Sequence, residues 1–239
     1  MTLPRFVFTE SIAPQEGLLL PLSAEQAKHV CALRIAPGGA LEALLPSGAW
    51  LGELASASKH NMEIRLVAPI GENREAPIEI HACLPITAQL NIWADFLPSA
   101  VELGATLIQP VIYERSQFND RQVKPRMERW HRIILAACEQ SHRNKVPELL
   151  PPVPLDALQT WQADQKWVAY EIPTGEKNPR LEPGSIAFTH GPEGGIADSE
   201  IELLTKSGWK AISLGKSILR AATCPAAILG AIQMELGRN

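Results

Sequence analysis

The segment Phe188-Thr189-His190-Gly191-Pro192-Glu193-Gly194-Gly195-Ile196-Ala197 limits what this chain can fold into more than any other. It follows a short apolar run, Ser185 to Phe188, and precedes Asp198 to Leu204, which reads as a helix. Three glycines and a proline within Gly191–Gly195 impose a tight and unusual backbone path. Strand, glycine-rich turn and helix together let backbone N–H groups approach a ligand with no side chain in the way. Such a unit belongs to an α/β sheet, in which ligands gather at the carboxyl ends of the strands.

The remainder of the chain divides around residue 71. Residues 1–71 read as short strands and turns: Leu18–Leu20, Ala40–Leu45, Trp50–Leu54 and Met62–Val67 are apolar runs, and Pro37-Gly38-Gly39 and Pro46-Ser47-Gly48 are turns at hairpin spacing. Ser23-Ala24-Glu25-Gln26 has the form of a capping box opening one short helix through Val30. The polar, proline-terminated stretch 71–77 reads as a linker. Over 72–239 strands alternate with helices, the pattern of an α/β domain with a mainly parallel sheet. Strands are expected at Ile78–Leu84, Thr106–Ile112, Trp167–Tyr170 and Trp209–Leu214, and helices at Leu90–Leu103 (distorted by Pro98), Lys124–Gln140 and Ile218–Leu236.

Composition narrows the function. With 26 acidic and 22 basic residues the net charge is −4, so a nucleic-acid partner would have to be met by a local patch. The four cysteines, Cys31, Cys83, Cys138 and Cys224, have no metal-ligand spacing, and the six histidines form no ligand pair, so no metal is expected. No signal-peptide run and no membrane-length stretch occurs, which points to the cytoplasm and to no membrane partner. Ser213-Leu214-Gly215-Lys216-Ser217 imitates the end of a phosphate loop, but the glycine required five residues before Gly215 is Lys210. Dinucleotide, serine-hydrolase and zinc-protease signatures are absent.

Two glycine-bearing loops are left, each expected between a strand and a helix: the one around Glu193 and the one carrying Lys216 and Arg220. Facing loops of this kind suit a flat, polar heterocycle such as adenine. The run Glu139-Gln140-Ser141-His142-Arg143-Asn144-Lys145, preceded by Arg115, Arg121, Lys124, Arg126, Arg129 and Arg132, is the clearly basic segment. It reads either as a solvated helix face or as a phosphate-holding surface, to which Arg5 and Arg34 would add.

Taken together these motifs resemble the ribosomal RNA small-subunit methyltransferase E family, members of the SPOUT class. The resemblance is carried by Pro4-Arg5-Phe6, by His29-Val30 through Leu33-Arg34-Ile35 with Pro37-Gly38, and by Glu102-Leu103-Gly104. It continues in Glu139-Gln140-Ser141 with Arg143, in Val146-Pro147, in Gly191-Pro192-Glu193-Gly194-Gly195 with Glu200, and in Leu214-Gly215 with Ile218-Leu219-Arg220. The chain departs from the family's pattern at Ala221-Ala222-Thr223-Cys224, where Thr-Glu-Thr-Ala is usual, at Ile86 and Ser99, near which lysines are usual, and at His190, which replaces an aliphatic residue.

The resemblance implies a PUA-like RNA-binding β-barrel over 1–71 and a trefoil-knotted, parallel-sheet methyltransferase domain over 72–239. It further implies a homodimer and S-adenosyl-L-methionine as cofactor, with N3 of a uridine in 16S rRNA of the small ribosomal subunit as target. Cofactor contacts would come from Thr189, His190, Gly191, Glu193, Gly194, Gly195, Leu214, Gly215, Ile218, Leu219 and Arg220, RNA contacts from Arg5, Arg34 and Arg143, and catalysis from Arg143 or Arg220. Glu193 reads either as a catalytic group or as a carboxylate that steadies its loop beside a helix N-terminus. The departures after Arg220 leave a second expectation, a divergent RNA-binding relative without turnover or with another RNA target. A nucleotide-binding protein of another class is a third.

Overall fold

Turn clusters at hairpin spacing predict hairpins in the first part of the chain. In the computed structural model, which describes residues 3–58, 61–170 and 178–237, Pro46-Ser47-Gly48 turns one antiparallel strand into the next, whereas Pro37-Gly38-Gly39 links a helix to a strand. The chain divides into one unit of Met1–Glu75 with Cys138–Val146 and another of Ala76–Ala137 with Pro147–Asn239. The sequence boundary at residue 71 therefore falls four residues short of the first unit's main segment, and that unit also takes in a stretch from the middle of the chain.

In the first unit β1 (Arg5–Val7), β2 (Leu19–Pro21), β3 (Ala40–Leu45), β4 (Gly48–Ser58) and β5 (Asn61–Pro69) form a sheet of order β1-β3-β4-β5-β2. All of its neighbours are antiparallel except β1 and β3. Alternate residues Leu41, Ala43 and Leu45 of β3, with Ile64 and Leu66 of β5, enter one core with Phe6, Leu20 and Leu54. Each such large side chain, fully buried, contributes about 1.5–3 kcal/mol. Helix α1 (Ala24–Ala32) opens on the expected capping box: Gln26 N donates to Ser23 Oγ at 3.2 Å, and Ser23 N donates to Gln26 Oε1 at 2.9 Å.

The second unit holds β6 (Ile80–Pro85), α2 (Leu90–Ala94), α3 (Phe96–Glu102), β7 (Leu107–Ile112), α4 (Asp120–Val123), α5 (Met127–Ser141, whose last turn counts with the first unit), β8 (Glu148–Leu149) and β9 (Val153–Pro154). They are followed by β10 (Gln165–Ala169), β11 (Ile186–His190), α6 (Asp198–Lys206), β12 (Lys210–Ile212) and α7 (Cys224–Leu236). The strands form one sheet of order β12-β10-β11-β6-β7-β8, with β9 also on β7, and every pairing is parallel, as the alternation of strands and helices predicted. β11 lies between β10 and the first strand of the unit, β6. A central strand so placed is covered on both faces, and all five of its residues are buried, the polar Thr189 and His190 among them.

Three expectations need adjusting. The helix foreseen over Leu90–Leu103 is two helices meeting at Asp95, because the Pro98 ring would clash with the carbonyl of Ala94 in a continuous helix. The last strand is three residues long, shorter than Trp209–Leu214. The closing helix begins at Cys224 and not at Ile218: Gly215 sits at φ 122°, residues 216–223 stay in turns and open chain, and Pro225 stands in the helix's first turn, where it has no partner to lose.

Candidate functional site

β6, β10 and β11 run parallel, so their carboxyl ends face the same way and the loops that follow them gather at one edge of the sheet. A cavity of about 950 Å³ opens there. One wall is His190 and the Gly191–Gly195 loop; the opposite wall is the segment from Ser213 through Arg220. Of the residues expected to hold a cofactor, His190, Gly191, Glu193, Gly194 and Gly195 line the first wall, and Leu214, Gly215, Ile218, Leu219 and Arg220 line the second. Thr189 does not; its buried hydroxyl lies 2.7 Å from that of Tyr113, inside the sheet packing.

The glycines are demanded by local geometry. A Cβ on Gly191 would come within 3.0 Å of Ile196 Cγ1, and one on Gly194 within 3.0 Å of Arg115 Cβ. Gly195 at φ 75° and Gly215 at φ 122° occupy backbone regions that L side chains avoid. Nothing lies within 4 Å of a Cβ built at Gly215, so Gly215→Ala is expected to cost on the order of 1–3 kcal/mol through backbone strain alone, read as a lowered thermal midpoint.

Bonds between the loops hold the first wall. Glu193 Oε2 accepts from Ala88 N at 2.9 Å, in the loop after β6. Arg115, in the turn after β7, donates from Nη1 to Gly194 O at 2.9 Å. The buried Glu200 accepts from Ala197 N at 2.9 Å, which caps α6, and from Glu114 N at 2.6 Å. The second wall is steadied by Asn178, whose side chain accepts from Ser213 N and donates to Ser213 O.

His190 is buried at the end of β11. Desolvation pushes its imidazole down from the ordinary value near 6.5 to about 4, a fall only partly opposed by the bond to Gly191 O. The ring is therefore neutral, and Nδ1, 2.9 Å from a carbonyl that can only accept, carries the proton. Nε2 is left as an acceptor with no partner among the described residues.

Ala88, Gln89 and Ile92 also line the cavity and were not singled out from the sequence; Arg115, which the sequence placed only in the basic run, lines it as well. The rule that ligands meet the carboxyl ends of strands could have flagged the loop after β6. No local signal marks Arg115, which reaches Gly194 across 79 residues.

The other expected residues sit in the first unit. Arg5 and Arg143 are buried, and the exposed Arg34, at φ 57°, follows the end of α1. Arg5 donates to Glu42 Oε2, at 2.7 Å from Nε and 2.6 Å from Nη2, and from Nη1 to the Arg143 carbonyl at 2.5 Å. His142 Nδ1 donates to the same Glu42 oxygen at 3.0 Å. The Arg143 guanidinium is held by Glu75, through Nε at 2.9 Å from both oxygens and Nη2 at 2.5 Å. Among the described residues no group of three or more His, Cys, Asp and Glu side chains could hold a metal ion.

Comparison with known proteins places this arrangement. The family model described as an RNA methyltransferase domain matches residues 74–233, more than half of the chain. The Bacillus subtilis ribosomal RNA small subunit methyltransferase E is 34% identical over 204 residues, covering 78% of each chain. The Synechocystis protein of the same name is 31% identical over 79% of this chain and 63% of its own, so this chain spans just under two thirds of that relative. The Neisseria gonorrhoeae ribosomal RNA small subunit methyltransferase E, solved bound to S-adenosyl methionine, superimposes with a TM-score of 0.88 at 32% identity over 97% of both chains. Fold and sequence agree, and the chain belongs to the RNA methyltransferase family, in its ribosomal RNA small subunit methyltransferase E branch.

Proposed function

We propose that this chain methylates N3 of a uridine in 16S ribosomal RNA, with S-adenosylmethionine as methyl donor. The observation that carries this reading is the cavity between the two glycine-bearing loops in a chain so similar to a relative solved with that cofactor.

The residues fit the group. Bare backbone at Gly191, Gly194, Gly195 and Gly215 lets a ligand approach where a Cβ would intrude or strain the chain. Ile92, Leu214, Ile218 and Leu219 offer apolar surface to a flat adenine, and Lys216 and Arg220 offer positive charge to a carboxylate. The volume lies at the upper end for small-molecule sites, with room for a cofactor and a base.

When bound, the sulfonium cofactor supplies an electrophilic methyl group. N3 must first give up its proton to solvent; the electron pair left on N3 forms the new N–C bond, the S–C bond breaks, and a neutral thioether leaves. The chain has two tasks in this step. It holds the two reactants within reach through the tied loops, and it sets positive charge beside the base carbonyls that take up the anion's charge. Arg220 on the cavity wall is one candidate for that charge. Arg143, already paired with Glu75, serves by holding its segment in place, as does Arg5.

In this reading the first unit is a PUA-like barrel that grips RNA with exposed residues such as Arg34, and residues 76–137 with 147–239 form the catalytic domain. A trefoil knot is supported by the path of the chain, which returns β11 between β10 and β6 before α7 packs on α3 and β11. A homodimer acting on the small subunit in the cytoplasm completes the proposal; among the described residues no helix is long and apolar enough to cross a membrane. The Ala221, Ala222 and Cys224 side of the cavity favours a second reading, an RNA-binding relative without turnover.

Calorimetry with S-adenosylmethionine and mass analysis of 16S rRNA from a deletion strain separate the two. Cofactor binding and loss of one N3-methyluridine, restored by the gene, are expected. An unchanged methylation pattern in the deletion strain would sink the enzymatic reading.

A further inference from the structure

Arg115 lies outside every motif that pointed to a cofactor, yet it is built into the cavity wall. Its side chain runs along the bare backbone of the glycine loop. A Cβ on Gly194 would meet its Cβ at 3.0 Å and its Cδ at 3.6 Å, and one on Gly195 would meet its Nη1 at 3.6 Å. The glycine pair thus also makes a bed for this arginine. Gly194 O takes a hydrogen bond from Nη1, one of five N–H donors, and among the described residues no carboxylate pairs with the guanidinium. Arg143 and Arg5, by contrast, are buried and paired.

The backbone on either side of Arg115 is fixed. Glu114 N donates to the buried Glu200 at 2.6 Å. Ser116 Oγ donates to Ile86 O at 3.0 Å and accepts from Tyr113 N at 3.1 Å. A cation held this way, with most of its donors still available, is preorganised for charge that develops during a reaction. It is also exposed, so a macromolecular substrate can reach it. Arg220, also exposed, follows the open stretch 216–219, and its carbonyl accepts from Thr223 N at 2.8 Å and Cys224 N at 3.3 Å.

We propose that Arg115 is the catalytic cation that meets the carbonyl edge of the target uridine and stabilises it as N3 loses its proton. This assignment rests on the methyl transfer proposed above. The planar fork matches two acceptors on a flat base better than an ammonium does.

The test compares wild type, Arg115→Met and Arg115→Lys for methylation of small ribosomal subunits from the deletion strain. Cofactor affinity by calorimetry, thermal midpoint and the pH–rate profile are measured alongside. Arg115→Met is expected to lose about 10²–10³-fold in rate near neutral pH, with a fall in cofactor affinity and thermal midpoint far too small to account for that loss. The loss should shrink at high pH, where the base ionises unaided, and Arg115→Lys should recover part of it. An unchanged rate in Arg115→Met overturns the assignment. So does a fall in cofactor affinity that matches the loss of rate, which would place the cation on the cofactor. A pH-independent loss with a lowered midpoint would reduce Arg115 to a strut for the glycine loop. Absence of methylation by the wild type would remove the proposed function itself; an active wild type with an unaffected Arg115→Met removes only Arg115.

Discussion

Glu75→Ala lowers the stability of the first unit by about 3–5 kcal/mol, the loss expected when one partner of a buried ion pair is removed. Glu75 and Arg143 are both nearly buried, with side chains 9% and 4% exposed. Burial alone pushes the Glu75 carboxyl up. The Arg143 bonds and charge, with the amides of Asn144 and Lys145 at 2.6 and 3.0 Å, outweigh it and hold the carboxyl below the ordinary carboxylate range. Truncation therefore takes the carboxylate from a buried guanidinium and an acceptor from two amides at once. Denaturant unfolding of Glu75→Ala, Arg143→Leu and the double variant Glu75→Leu/Arg143→Leu checks this. The double variant should recover much of the loss, because a well-packed apolar pair has no charge to desolvate. A loss below about 1 kcal/mol for Glu75→Ala would mean that the pair behaves like an exposed one.

Acid destabilises the second unit through His190. With the folded pKa pushed down to about 4 from near 6.5, the unfolded chain takes up a proton that the folded chain refuses. Stability is then fully present above pH 6.5, falls as the pH drops from 6.5 to about 4, and levels off below. The full step is worth about 3 kcal/mol. His190→Ile, which restores an aliphatic side chain at the end of β11, should remove that step. Carboxylates held low, such as Asp164 by the Ser185 backbone and hydroxyl, lose their contribution in more acid solution, and do so equally in both proteins. Glu139, raised mainly by burial, has the opposite sign and gains on acidification. The difference between variant and wild type, followed by thermal unfolding at pH 5 and pH 7.5, isolates the imidazole. Parallel pH profiles would show that the buried, neutral histidine makes no such contribution.

Much of the site was legible because its requirements are local. A strand, a loop with glycines where a Cβ would clash or strain the backbone, and a helix are specified by neighbours in sequence, so the two glycine-bearing loops could be picked out from the chain, while the individual contacts named in them came from the family resemblance. The Ser23–Gln26 cap and the break at Pro98 are local in the same way. Thr189 shows the limit of that reading: it belongs to the motif, yet strand alternation turns its side chain away from the cavity and toward Tyr113.

Charge was the least legible property. A run of arginines in the sequence does not say which are paired, because pairing depends on burial and on partners far along the chain. Glu75 finds Arg143 across 68 residues and Glu42 finds Arg5 across 37, and both arginines become internal struts. Arg115, one basic residue among many, is brought against Gly194 only because the loops after the parallel strands β7 and β11 meet at one edge of the sheet. The sequence by itself determined the glycine loops, the helix caps and the alternation that makes a parallel sheet, since backbone sterics and hydrogen bonding within a few residues decide them. Only the tertiary structure decided which cations stay available and which are buried, because strand order and desolvation are properties of the whole fold.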